Sequence, residues 1–157
     1  MLKNSKMPEE TVVIDTSALI ALEKIDLLHI LGRLYEKILV PDSVLEEFGN
    51  VSSPAIFIEK VQSKLLNFFM ENANLGKGES AAILLAYQGG YKIIIDDLKA
   101  RKIANKMGLQ VTGTIGVLLK AQKTGLIQSA YEYASKLQNM GFYIDNALLN
   151  AIGKYES

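Results

Sequence analysis

Residues 92 to 109 read KIIIDDLKARKIANKMGL. Three isoleucines, Ile93 to Ile95, run into two adjacent acids, Asp96 and Asp97, and a basic helix-forming segment follows before Gly108. A run that is apolar at consecutive positions must be buried on both faces, which marks a strand of a parallel sheet covered by helices. The same alternation extends outward in both directions. TVVI at 11 to 14 ends at Asp15 and passes through Ser17 into the helical ALIAL, while KILV at 37 to 40 is stopped by Pro41. Asp42 or Ser43 can then cap a helix that carries Glu46 and Glu47 and directs Val44, Leu45 and Phe48 inward. Ser53 and Pro54 are expected to open a further helix, with Ile58, Val61, Leu65 and Phe68 or Phe69 at helical spacing, which ENANLGKG at 71 to 78 ends. Glu79 leads into the helix SAAILLAY, closed by Gly89 and Gly90. After Gly108 come a short strand at 110 to 112, a helix in GTIGVLLKAQKTG, and two amphipathic helices near 128 to 140 and 144 to 154. The order predicts one α/β domain over residues 1–157, with a polar segment at 1–10 and C-terminal helices in 128–157.

The composition narrows the chemistry. Lys plus Arg and Asp plus Glu both number 17, so net charge points to no class of partner and only local distribution can. There is no cysteine, which excludes disulfides and thiolate chemistry, and His29 alone cannot build a histidine metal centre. Carboxylates must therefore carry any metal chemistry. The polar MLKNSKMPEE start, and the lack of an apolar run near the ~18 residues a membrane span needs, predict a soluble, cytoplasmic protein without a membrane partner.

Sites in open α/β sheets form outside the carboxyl ends of the strands, and this reading puts Asp15, Asp96 and Asp97 there. Glu46 or Glu47 and Glu79 follow in the first turns of neighbouring helices. Two carboxylates about 4 Å apart repel by roughly 4 kcal/mol at an effective dielectric of 20, so the cluster calls for a compensating cation or proton. Mg²⁺ or Mn²⁺ suits such oxygens and leaves coordination positions for a phosphate and an attacking water, the chemistry of phosphodiester hydrolysis. Taken singly, each acid has a plainer role. Glu79 can complement a helix dipole, Asp15 and either of Asp96 and Asp97 can cap a helix, and Glu46 or Glu47 can be a solvated helix residue.

VVIDTSALIAL at 12–22, VPDSVLEEF at 40–48, GKGESAAILLA at 76–86, IIIDDLKARKIA at 93–104 and VTGTIGVLLKAQKTGLI at 111–127 resemble, in order, the PIN domains, and most of all a prokaryotic branch related to the VapC-like toxins. The resemblance implies a three-layer α/β/α sandwich with a central parallel sheet, and a cleft of acids that binds Mg²⁺ or Mn²⁺ for cleavage of single-stranded RNA. Carried over by motif, the catalytic acids are Asp15, Glu47, Glu79 and Asp97, and the metal is held by Asp15, Glu79 and Asp97 with Asp96 beside them. Thr114, with Thr16 or Ser17, would present hydroxyls near metal or substrate; helix capping is the alternative role for Ser17 and Thr114. The family further implies a homodimer and a small antitoxin protein as partner. Tyr143 stands where the family pattern has a basic residue, and the stretch between Pro54 and Leu75 departs from the pattern.

From Lys92 to Lys123 seven basic residues face two acids, and Lys99, Arg101 and Lys102 follow the acid pair closely enough to hold a nucleic-acid backbone. A solvated amphipathic helix would show the same pattern. Two other functions compete with the ribonuclease: a nucleic-acid- or antitoxin-binding module of the same fold without catalysis, and a phosphotransfer receiver. The receiver would carry its acid pair after the first strand, whereas this chain carries it in the latter half.

Overall fold

The computed structural model describes residues 10–49 and 53–155. Its centre is a parallel sheet of β1 (Thr11–Ile14), β2 (Lys37–Pro41), β3 (Ile56–Glu59), β4 (Lys92–Ile94) and β5 (Val111–Thr112), in the order β3-β2-β1-β4-β5. The helices are α1 (Thr16–Lys24), α2 (Leu31–Leu34), α3 (Val44–Glu47), α4 (Ser63–Ala73), α5 (Lys77–Gly89), α6 (Leu98–Lys106), α7 (Thr114–Lys123), α8 (Ala130–Asn139) and α9 (Asn146–Tyr155), with a 3-10 turn at Leu28–Ile30 before α2.

The consecutive apolar runs divide between two faces as the period of a strand requires. Val12, Ile14, Ile38, Val40 and Ile94 belong to a core formed with α1, α2, α7, α8 and α9. Val13, Leu39, Ile93 and Ile95 belong to a second core under α4, α5 and α6. This is the expected α/β/α sandwich. Register follows from the pairing of Val13 with Leu39 on one side and Ile93 on the other, so both cores pass through the three central strands at the same level.

The expected helix opening at residues 53 and 54 is not there. Ile56–Glu59 instead forms β3, the edge strand beside β2, and the helix of this region begins only at Ser63. The i, i+3, i+4 spacing of Ile58, Val61 and Leu65 spans a strand, a loop and a helix start. The β-branched and aromatic IFIE run was the better signal. As an edge strand it is half open: Phe57 and Ile58 are each 43% exposed, and Lys37 lies over the Phe57 ring at 5.6 Å. Leu45 likewise faces solvent rather than the core, because α3 is a single turn that buries only Val44 fully. Strand β4 closes one residue earlier than the isoleucine run, yet the Ile95 N–H still donates to the Thr112 carbonyl at 2.9 Å.

The chain steps outward from β1 to β2 to β3, then returns across β1 to build β4 and β5 on the other side. The reversal lies between β1 and β4, and at such a point the connections part and open a crevice at the carboxyl ends of the strands. Asp15 and the Asp96–Asp97 pair flank it.

Candidate functional site

Asp15 is the first residue past β1. Its N–H donates to the Ile94 carbonyl at 2.9 Å, and its own carbonyl accepts from Ala18 and Leu19 as α1 begins. The residue is thus fixed between β4 and α1, and it is only 3% exposed. Although it occupies the N-cap position, its side chain makes no capping bond to the helix. Burial first, and the negative charge of Glu79 second, push its carboxyl up to about 6; Glu47 adds to this, while hydrogen bonds with the Ser17 side chain and the Thr16 backbone pull the other way. A buried acid under the charge of two further acids is held at a cost that a cation would remove.

The GKGE segment at the start of α5 shows how the neighbours arrive. Glu79 reaches back so that its Oε2 accepts the Gly76 N–H at 3.1 Å. A Cβ on Gly76 would stand 2.7 Å from that oxygen, and a Cβ on Gly78 would stand 3.0 Å from Glu47 Oε1. The two glycines therefore make room for two carboxylates at the first turn of one helix, where the N-terminal backbone dipoles favour negative charge. Glu46, one residue before, turns away to pair with Lys77 at 3.5 Å. Of the glutamate pair it is Glu47 that acts on Asp15.

Asp96 and Asp97 are held separately. Asp97 caps α6, its Oδ2 accepting the Ala100 N–H at 3.0 Å, and it is exposed. Asp96 turns toward α7: Oδ1 accepts the Thr114 N–H at 2.8 Å and Oδ2 the Thr114 hydroxyl at 2.6 Å. Thr114 is wholly buried, and the proton of its hydroxyl is directed at Asp96. Gly113 makes this approach feasible, since a Cβ there would meet Asp96 Oδ1 at 2.7 Å and Arg101 Nη1 at 2.5 Å. Arg101 Nη1 also donates to the Ile95 carbonyl at 3.2 Å.

The remaining residues singled out in the sequence divide by edge. Lys99 Nζ donates to the Asn74 carbonyl at 2.7 Å, which ties α6 to the loop leading into Gly76 and Glu79, and Lys102 is exposed on α6. Ser17 is exposed beside Asp15, whereas Thr16 is buried with no partner for its hydroxyl. Lys92 and Lys120 are instead committed to Glu10, at 3.2 and 3.3 Å, and Lys120 also lies 4.2 Å from the centre of the Tyr35 ring. Burial tends to raise the Glu10 carboxyl, but the two lysines outweigh it and hold it below the usual range. Lys92 and Glu10 stand where β4 and β1 begin, about 13 to 17 Å from Asp96 and Asp15 at ~3.3 Å per residue. Of the seven basic residues, Lys99, Arg101 and Lys102 lie on the first turns of α6, directly after the acid pair, whereas Lys92 and Lys120 serve Glu10.

Two features were missed in the sequence. Ser80, one residue past Glu79, is a buried hydroxyl without a partner, and Ser43, expected as a helix cap, occupies the N-cap of α3 but its buried hydroxyl makes no capping bond. The second is a cleft against Asp96, whose walls come from segments far apart in sequence.

The donor chemistry fits a hard divalent cation. Asp15, Glu79 and Glu47 offer carboxylate oxygens only, and Mg²⁺ is commonly held by one or two carboxylates with water filling the other positions. Among the described residues no three His, Cys, Asp or Glu side chains converge into a ready-made cage.

The family model that matches the chain is that of the PIN domain, over residues 11–155. A search of curated proteins finds no match. Among solved structures, a PilT N-terminus domain protein from the hyperthermophilic archaeon Sulfolobus solfataricus P2 is 20% identical, with a TM-score of 0.50 over 71% of this chain and 92% of the other. That likeness is one of fold. The match along nearly the whole chain, together with the five-stranded parallel sheet and the acids at its reversal point, shows that this chain belongs to the PIN-domain family.

Proposed function

We propose that the chain is a metal-dependent endoribonuclease that hydrolyses phosphodiester bonds of single-stranded RNA in the cytoplasm, as the toxin of a toxin–antitoxin pair. PIN domains are nucleases in general, and the observation that carries the finer reading is Asp15: a carboxylate 3% exposed and raised to about 6 by burial and by the negative charges of Glu79 and Glu47. When bound, Mg²⁺ or Mn²⁺ would supply a more acidic water and neutralise charge on the phosphate. Asp15, with Glu79 and Glu47, would hold it.

The chain's own groups divide the remaining work. The Asp15 backbone is anchored between β4 and the start of α1, which fixes the point at the crevice from which its carboxylate acts. Glu47 is exposed, which suits a group that takes or returns a proton at the entrance. Lys99, Arg101 and Lys102 sit on the helix that leaves the rim; Lys99 and Lys102 would draw in the phosphate backbone, and Arg101 would contact the same strand. Asp97, beside them, keeps one carboxylate oxygen free of the α6 cap to meet the same strand. A small antitoxin and a second copy of the chain remain the proposed protein partners.

No three acids converge among the described residues, and this favours one second reading, a binding module without catalysis. The receiver reading has no support, because the acid pair follows β4 and the chain is a PIN domain. Labelled single-stranded RNA incubated with the protein in Mn²⁺, Mg²⁺ or EDTA separates the two that stand. Cleavage that requires metal and disappears in Asp15→Asn and in Asp97→Asn is the expected result. Binding without cleavage in any metal would leave the module.

A further inference from the structure

A cleft of about 860 Å³ opens beside the acid pair, between β5, α6, α7 and the segment that joins α8 to α9. Its lining is mostly apolar, with Ile144 buried in the wall and two large side chains at the surface, Leu98 (71% exposed) and Tyr143 (82% exposed). Polar groups meet at one end. Arg101 spends one nitrogen on the Ile95 carbonyl, leaving most of the five guanidinium donors. Asp97 spends one oxygen on the cap of α6, leaving the other. An apolar hollow with a few convergent donors and acceptors has the character of a small-ligand pocket.

We infer that this cleft receives an unpaired nucleobase of the strand that is cut, stacked on Tyr143 against Leu98 and edged by Arg101 and Asp97. The inference rests on the nuclease reading and deepens it. Three observations select this occupant. The cleft carries Asp96, Asp97 and Asp145 against the single cation Arg101, so it repels a phosphate or an acidic peptide and suits a neutral ring. A base edge presents donors and acceptors together, which a guanidinium and a carboxylate answer jointly. Asp96 lines the cleft two residues past β4, and β4 is the strand paired with β1, whose end carries Asp15, so the cleft and Asp15 lie at the ends of neighbouring strands. A strand lying across the rim would place a phosphate at the acids and its neighbouring base in the hollow.

The test uses the full chain carrying Asp15→Asn, so that RNA is not consumed, and a short single-stranded RNA with one 2-aminopurine. Its readouts are anisotropy for affinity and 2-aminopurine quenching for stacking. Adding Tyr143→Ala should weaken binding about five- to a hundred-fold, the range of one lost stack, and abolish the quenching. Tyr143→Phe should keep both, and Leu98→Ser should weaken binding in the same direction. Both positions are exposed, so the fold is not at stake. Unchanged affinity and quenching, in a protein whose wild type still cuts RNA, would overturn the base pocket and leave the nuclease standing. If Tyr143→Ala leaves RNA binding intact but shifts sedimentation of the chain, the cleft is a contact between copies and the inference falls. If no form binds RNA and the wild type cuts none, the nuclease reading itself fails and takes this one with it.

Discussion

Asp15 holds the least favourable charge at the site, and that fact has a measurable sign. Its carboxyl titrates near 6 in the folded chain, above the ordinary aspartate value it has when unfolded, so the folded state binds more protons between the two. Stability of the metal-free protein should therefore fall as pH rises through about 4 to 6, and remain reduced above that window. A shift of this size corresponds to about 3 kcal/mol. Asp15→Asn, which never carries the charge, should flatten that part of the curve and gain up to about 3 kcal/mol at pH 7 in EDTA, read by urea unfolding. A variant that loses stability there would mean that the bonds from the Ser17 side chain and the Thr16 backbone outweigh burial and the neighbouring charges. Glu47 and Glu46 provide an internal comparison. Glu47→Gln should lower the Asp15 titration midpoint followed by carboxyl carbon NMR, and Glu46→Gln, which loses only the pairing with Lys77, should move it less. The residues alone propose both glutamates, since they are adjacent on one turn, and only the resemblance selects Glu47. What separates them is Gly78, whose missing side chain leaves the space that Glu47 enters.

The elements that position the site were legible where burial is two-sided. Strands β1, β2 and β4 are apolar at consecutive positions because helices cover both faces, and no amphipathic reading competes with that pattern. β3 was not legible because an edge strand is half exposed, and its residues fell by chance into helical spacing with the start of α4. The acid pair was ambiguous for another reason. Capping and ligation draw on the same side chain, and only a contact 18 residues away shows that Asp96 serves α7 while Asp97 serves α6. That contact should be energetically visible. Thr114→Val keeps the shape but removes a buried donor to a carboxylate, a loss of about 1.5 to 3 kcal/mol, whereas Thr114→Ser should restore most of it. Denaturant midpoints with an unchanged m-value would identify the loss as one of stability rather than of a changed unfolded state. No loss in Thr114→Val would mean that Asp96 is not held by that hydroxyl in solution.

Across the whole molecule the sheet has two unlike edges, and the strands separate their tasks. Where β1 and β4 begin, Glu10 gathers Lys92 and Lys120 and ties β1 to β4 and α7; where they end, the buried Asp15 carries the added charge of Glu79 and Glu47. The first arrangement serves stability and the second opposes it, so substitutions at the two ends should dissociate. A divalent ion at a hundred times its dissociation constant stabilises the folded state by about 2.7 kcal/mol. For a chain of this size that is roughly 5 to 11 °C in Tm. Wild type should show such a rise with Mg²⁺ or Mn²⁺, and Asp15→Asn should lose most of it while starting from an equal or higher Tm in EDTA. Glu10→Gln should do the reverse: a Tm lowered by the loss of two partly exposed ion pairs, each worth no more than about 1 kcal/mol, and a full response to the metal. Equal metal responses in wild type and Asp15→Asn would place the ion elsewhere. A diminished response in Glu10→Gln would mean that the two edges are coupled through β1, and that the acids are positioned by the strand as a whole rather than by the crevice at its end.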